Sequence, residues 1–534
     1  MRFSVLGVIT LLAACAGAAE SVAEPPRPII YTQANAPAPP LLETLALQAS
    51  VTQYGITWTF DKPARVGQFV NGDWYVVGPV TVVAIDPATR LSPAVPPEEA
   101  DGREQSRKDK LVRHGSMLNP PAKPQMAFDS GIRNYYAADG LAVFPLTMQP
   151  KDALVSTISL GLKEQSKFVY HSSGLRDHHD NCPIKVAAVL TCVGAPQPVD
   201  AFRPGYCDRE GVTYLARNLR RDLLPKLAQV DAAPDPVAFA AVFQRPWLNL
   251  GFFGFDQPME NMPHYGQWVG QAAGNAALLL CLDYTPEQKE PLLINVAQVG
   301  IDYWSMVKNG HPGWECWGGH GSGRKIMVVV AGHLLGDAAM TSPSTAFPRC
   351  EFGEDNQTRY GVSWTGATVV FAGHSGVHSD GKPPREKWGP YEHLHPSQWD
   401  QNEQKNFQSE AYRRSNTSVC WVAQGLALRL LGLEKAWAHD AFLDYVDRWM
   451  TEDDAEFRKV IHSFNGDKNM IDPSKSWCHQ GYAGENWVKT AWQQHRSVST
   501  APTDGWKKDH GEEAAMLGPD KATTPKKEPK SKSE

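Results

Sequence analysis

The chain has 534 residues, 42% of them hydrophobic, with a net charge of -6 and nine cysteines. That length supports two or three domains, or one large toroid with an accessory module. A balance so near neutral gives no global basic field, which argues against nucleic acid as the partner.

Residues 1–19 (MRFSVLGVITLLAACAGAA) carry one arginine, an apolar run and then small residues, which predicts an export signal rather than a membrane span. Two processing routes fit. Leu12-Ala13-Ala14-Cys15 matches a bacterial lipoprotein box with a lipid anchor on Cys15, and Ala16-Gly17-Ala18 matches ordinary cleavage. The protein is therefore expected to be periplasmic, attached to the outer membrane or secreted. Residues 20–45, rich in proline and alanine, read as an extended linker.

From residue 46 to 205 the pattern is that of a β-rich segment. YGITWTF and QFVNGDWYVVGPVTVVAI alternate apolar and polar residues, and Asn71-Gly72-Asp73 marks a hairpin. Residues 206–500 change to helical periodicity. TYLARNLRRDLLPKL, DPVAFAAVFQ, QWVGQAAGNAALLLCL, TPEQKEPLLINVAQVGIDYWSMV, RKIMVVVAGHLLG and TSVCWVAQGLALRLLGL space apolar residues for one helical face. Thr285-Pro286-Glu287 reads as a helix start. Successive helices with long loops predict a mainly α chain: an α/α toroid, an incomplete barrel of helical hairpins, behind the β-rich segment. The Lys/Pro-rich tail, 501–534, is expected to be disordered. Cys182, Cys192 and Cys207 are the best disulfide candidates in an exported chain, whereas Cys281 and Cys420 lie in apolar helices as buried thiols.

Residues that carry chemistry gather in four places. Residues 311–337 (HPGWECWGGHGSGRKIMVVVAGHLLGD) set Trp314, Trp317, His320, Arg324 and Lys325 around glycines ahead of a helix. ENMPHYGQW contributes Asn261, His264, Tyr265 and Trp268. Arg385-Glu386-Lys387-Trp388 precedes Tyr391-Glu392-His393-Leu394-His395-Pro396. Tyr412-Arg413-Arg414-Ser415-Asn416 opens a further helix. Indoles stack on the apolar faces of sugar rings, and arginines bind carboxylates bidentately. Histidine and tyrosine transfer protons near neutral pH. No P-loop, dinucleotide fingerprint or nucleophile elbow is present. Arg176-Asp177-His178-His179-Asp180-Asn181-Cys182 is rich in ligands but lacks a zinc spacing, so neither a metal nor a cofactor is expected.

The succession YGITWTF, GQFVNGDWYVVGPV, ENMPHYGQW, GGHGSGRK, PYEHLHP and YRRSNTSVCWVAQGLALRLL resembles polysaccharide lyase family 38, over residues 50 to 450. That family includes bacterial alginate and glucuronan lyases with an α/α barrel. The resemblance implies β-elimination on an anionic uronic-acid polysaccharide. On that reading His320 is the base or its partner and Tyr391 the acid or a combined acid and base, with Asn261, His264 and Arg385 neutralising the carboxylate. His264 and His320 could exchange roles. Tyr265, Trp268, Trp314, Trp317, Arg324, His393, Tyr412 and Arg414 would bind substrate. Two other readings compete. A glycoside hydrolase would need paired carboxylates, drawn from Glu260, Glu315, Asp337, Glu354, Asp355 and Glu392. A non-catalytic glycan-binding protein would use the same aromatic residues without proton transfer.

Overall fold

A computed structural model describes residues 28–93, 110–132, 136–160, 183–249, 259–263, 265–378, 388–399, 405–465 and 480–497. The export signal with Cys15, the tail, His264, Arg385 and residues 176–182 lie outside the described residues.

The N-terminal part is built on strands β1 (Ala46–Gln53), β2 (Ile56–Gln68), β3 (Trp74–Val77), β4 (Val80–Asp86), β5 (Arg90–Pro93), β6 (Lys110–Arg113), β7 (Ser116–Leu118), β8 (Leu146–Met148), β9 (Ala153–Ser159) and β10 (Ile184–Val193). Eight of these form one sheet in the order β7-β9-β10-β3-β2-β4-β8, with β1 on β2, and β5 pairs with β6 separately. Only β10 and β3 run parallel within that sheet. The Asn71-Gly72-Asp73 turn joins β2 to β3 as expected, with Gly72 at φ 86.

Period-two alternation explains how this sheet has two buried faces. In β10, Ala187 and Val189 belong to the main core, while Val186, Ala188, Leu190 and Cys192 point into a second core. That second core is filled by Trp58, Phe60, Val66 and Val82 from β2 and β4. The Trp58 indole donates to the Ser156 hydroxyl at 3.0 Å, so β2 is pinned to β9.

Helices follow: α1 (Pro236–Phe239), α2 (Gly266–Cys281), α3 (Pro286–Lys308), α4 (Arg324–Leu335), α5 (Ala338–Thr341), α6 (Pro343–Ala346), α7 (Gly353–Gln357), α8 (Lys405–Tyr412), α9 (Trp421–Leu430), α10 (Glu434–Trp437), α11 (Asp440–Thr451), α12 (Ala455–Asn465) and α13 (Asn486–His495). Short strands interleave with them: β11 (Gly313–Trp314), β12 (Glu351–Phe352), β13 (Thr358–Tyr360) and β14 (Val369–Phe371). Helix α2 is the central rod, buried on nearly every side. A side chain at Gly274 would meet the backbone nitrogen of Gln424 at 2.8 Å, so glycine there lets α9 approach α2 closely.

These features correct the expected mainly α toroid. Helix accounts for 38% of residues and strand for 20%, and the large curled sheet is a principal layer. The main core is shared: Val155 and Val189 of the sheet are continuous with Val269, Leu278 and Leu426 of the helices. Arg203 fastens the two parts together. Wholly buried, it donates to Asp73 in the β2–β3 turn at 2.5 Å and bidentately to Asp302 of α3 at 2.7 and 2.9 Å. The segment TYLARNLRRDLLPKL is not one helix either. Only the short 3-10 turns Ala216–Asn218 and Arg221–Leu223 form. Its arginines are drawn instead to carboxylates elsewhere, Arg217 to Asp200 and Arg221 to Glu290, both at 2.5 Å.

Two local expectations meet different fates. Thr285 caps α3 through a capping box: its hydroxyl accepts from the Gln288 amide at 3.3 Å, and the Gln288 side chain accepts from the Thr285 amide at 2.9 Å. Thr285→Ala should therefore cost about 1 kcal/mol, read as a lowered melting temperature. The disulfide expectation fails for two of its three cysteines. Cys192 and Cys207 are free, buried thiols, as are Cys281 and Cys420. Cys192 instead directs its thiol to the Met148 carbonyl at 3.7 Å. No helix among the described residues is long and apolar enough to cross a membrane.

Candidate active site

The loop from 311 to 323, between α3 and α4, is anchored before it reaches its functional residues. Trp314 is fully buried, stacks on His311 with centroids 4.3 Å apart, and donates from its indole to the Asn249 carbonyl. Arg324 is also fully buried. It donates to Asn249 Oδ1 and to the His320 and Ser322 carbonyls, each at 2.7 Å. Both were expected to bind substrate; both are braces holding the loop that carries His320, itself buried.

Past Trp314 the backbone is strained, with Trp317 at φ 40, a region that bulky residues avoid. Gly318 and Gly319 follow, and two groups of rings meet them. On one side His320 lies edge-on to Tyr265, centroids 4.7 Å apart, and Tyr265 in turn contacts Trp268 at 5.4 Å. On the other side His374 sits 4.7 Å from both Trp388 and Tyr412. The Gly318 amide donates to the His374 carbonyl at 2.9 Å, and a side chain at Gly318 would strike Tyr412 at 2.5 Å and the His374 imidazole at 2.8 Å. A side chain at Gly319 would face the Tyr265 hydroxyl at 3.2 Å. Gly318 is thus required by the protein's own rings, and Gly319 lies tight against the Tyr265 hydroxyl.

Tyr412 ends α8, and the next five residues, Arg413–Thr417, form a π-helical turn, a deviation frequent at functional sites. This turn offers Asn416, which hydrogen-bonds the Tyr412 hydroxyl, and Ser415, whose carbonyl accepts from Gln267 at 3.3 Å. The Lys405 ammonium stands 4.8 Å from the Trp388 ring. Gln267, Trp317, His374, Trp388, Tyr412 and Asn416 are all half-buried, so the cluster has an exposed edge.

Electrostatics divides the labour between these rings. Burial pushes the His374 imidazole down to about 4, and its Nδ1 has no hydrogen-bond partner among the described residues. Burial pushes the Tyr412 phenol up to about 12. Near neutral pH the site thus pairs a neutral imidazole with a phenol that keeps its proton.

Tyr391 is elsewhere. It is fully buried against Phe371 and Trp399 and donates to Glu410 at 2.6 Å. Arg413 and Arg414 converge on the same carboxylate, each at 2.6 Å, and hold it well below the usual carboxylate range. Arg414 also pairs with Asp454, while Glu392 pairs with Arg448 at 2.7 Å and Arg413 at 3.3 Å. Burial and the adjacent Glu410 charge raise the Tyr391 phenol far above its ordinary value. The expected pairing of His320 with Tyr391 is therefore corrected: Tyr391 and Arg414 belong to an internal ion network around Glu410. Asn261 is also internal, donating to the carbonyls of Val242 and Arg245 at 3.2 and 3.0 Å. His393 is half-buried with its pKa lowered, first by burial and then by Arg359.

Of the expected residues, Tyr265, Trp268, Trp317, His320 and Tyr412 come together. His374, Gln267 and Lys405 were missed, while Trp388 and Asn416 stood in the chemistry-bearing clusters without being assigned to the site. The sequence carried one signal for His374: Gly373-His374-Ser375-Gly376 frames a histidine with small residues much as Gly319-His320-Gly321 does. Two surface hollows, one lined by Lys151, Thr191, Asp208 and Thr213 and the other by Lys226, Tyr284 and Lys289, contain no imidazole.

The buried imidazoles make stability depend on pH. His374, His333 and His439 all have folded pKa values lowered by burial, against an unfolded value near 6.5. The unfolded chain then binds more protons, so their contribution is complete above about pH 6.5 and is lost as pH falls towards about 4. The melting temperature should drop between about pH 7 and pH 5, and an unchanged value would contradict these burials.

No protein-family model, curated protein or solved structure matches this chain.

Proposed function

We propose that the chain is a polysaccharide lyase that cleaves a uronic-acid polymer by β-elimination at the His374–Tyr412 cluster. One observation carries this reading: a neutral imidazole, its buried Nδ1 without a hydrogen-bond partner among the described residues, lies 4.7 Å, ring to ring, from a phenol that stays protonated. In the reaction His374 takes the C5 proton beside the carboxylate. The electron pair forms the C4–C5 double bond as the C4–O4 bond breaks, and Tyr412 protonates the leaving oxygen. His320 and Tyr265 form the facing wall. Asn416 and Lys405 quiet the carboxylate charge by hydrogen bonding and by positive potential. Trp388 and Trp317 give flat faces for sugar rings.

The hydrolase alternative draws less support, because four of its six candidate carboxylates have structural partners. Asp337 caps α5 and accepts from Tyr214, Asp355 pairs with Lys325, Glu392 pairs with Arg448, and Glu354 accepts from the Gly323 amide at 2.6 Å. Mass analysis of the products separates the two. A lyase leaves new non-reducing ends lighter by one water than a hydrolase does. Saturated ends alone would defeat the lyase reading, and no cleavage of any uronate polymer would favour a binding protein.

A further inference from the structure

The two loops that carry the ring cluster also bring together a second set of side chains. Glu315 lies two residues before Trp317, and His378 lies four after His374. Glu351, on β12, reaches the same point. His378 Nδ1 is 2.8 Å from Glu351 Oε2 and 3.7 Å from Glu315 Oε2, and all three ligand atoms lie within 4.8 Å of one another. Glu351 is almost wholly enclosed, its side chain 8% exposed, yet neither it nor Glu315 has a lysine or arginine partner among the described residues. The nearby Lys325 is engaged by Asp355 at 2.6 Å. A largely buried carboxylate beside a second carboxylate, served only by an imidazole, calls for a further positive charge.

We propose that Glu315, Glu351 and His378 bind a divalent cation of the Zn2+ class. Nitrogen and oxygen ligands bonded to Zn2+ at about 2.0–2.2 Å stand on the order of 3–3.5 Å from one another, and the two observed separations bracket that spacing. One imidazole and two carboxylates suit Zn2+ better than a hard all-oxygen ion such as Mg2+. The 38% exposed side chain of Glu315 gives the ion a way in and leaves an open position for water. Three separate pieces of chain supply the ligands, which is why no linear spacing announced them and why the sequence predicted no metal. The bound ion fastens the 315–320 loop to the 374–378 loop. Binding does not depend on the lyase reading; only a consequence for turnover does.

The test is zinc content. The full-length protein, equilibrated with micromolar Zn2+ and dialysed free of unbound metal, should retain about one ion per chain by elemental analysis. Glu351→Gln and His378→Ala should weaken retention by ~10-fold or more, and His374→Ala should keep it. A chelator should lower the melting temperature of the unaltered protein and leave that of Glu351→Gln unmoved. Should Glu351→Gln not fold, Glu315→Gln, at the exposed ligand, provides the same comparison. Retention equal to that of the variants would overturn the site. A protein that holds zinc but cleaves nothing defeats the lyase reading alone, and one that cleaves without retaining zinc defeats the site alone.

Discussion

Replacing His374 with alanine should lower turnover of a uronate polymer by roughly a hundred- to ten-thousand-fold, the range that general bases contribute. The fold should survive, because the imidazole is half-buried and its Nδ1 supports no hydrogen bond among the described residues. Its ring meets Trp388 and Tyr412, and the Gly318 amide bonds the His374 backbone carbonyl, which alanine retains. Tyr412→Phe removes only a hydroxyl and should also lose most turnover, with substrate binding retained. His333→Ala, at the end of α4, is the control and should leave turnover unchanged. Normal kinetics in His374→Ala would move the base to His320, and normal kinetics in His320→Ala as well would remove proton transfer from this cluster.

Glu410→Gln should be the most damaging single change for stability, at about 3–5 kcal/mol. The Glu410 carboxylate accepts from Tyr391, from Arg413 through two nitrogens and from Arg414, and it is 1% exposed. The amide keeps the shape but loses the charge, so two buried guanidinium groups face a neutral group. Glu392 and Asp454 compensate only in part, since Glu392 also serves Arg448 and Asp454 also serves Arg458. Urea unfolding reports the loss. A shift under about 1 kcal/mol would show that the remaining carboxylates suffice.

Local signals in the sequence were reliable where the fold is local. The Asn71-Gly72-Asp73 turn, the Thr285 cap and the long apolar helices α2, α3 and α4 all form where the residues predict them. The toroid expectation failed because it concerns which layers meet. Val189 of β10 packing with the core of α2, or Arg203 bridging Asp73 and Asp302, spans distances along the chain that periodicity does not encode. Arginines in TYLARNLRR mimic a solvated helix face, yet they are tied to Asp200 and Glu290.

The site was legible by density alone. Clusters of imidazole, phenol and indole located the His320 loop, Tyr265 and Tyr412, and they equally suggested Tyr391 and Arg414. Only burial separates these groups. Tyr412 keeps an exposed edge and an amide partner, whereas Tyr391 is enclosed and given to a carboxylate. His374 escaped because it stands in a loop without periodicity, framed only by small residues.

The most direct measurement is the ultraviolet absorbance of the C4–C5 unsaturated uronate while the protein is incubated with alginate, glucuronan and other uronic-acid polymers. The account predicts rising absorbance with at least one of them, abolished together in His374→Ala and Tyr412→Phe. Absence of the chromophore on every polymer, or its undiminished appearance with both variants, would contradict it.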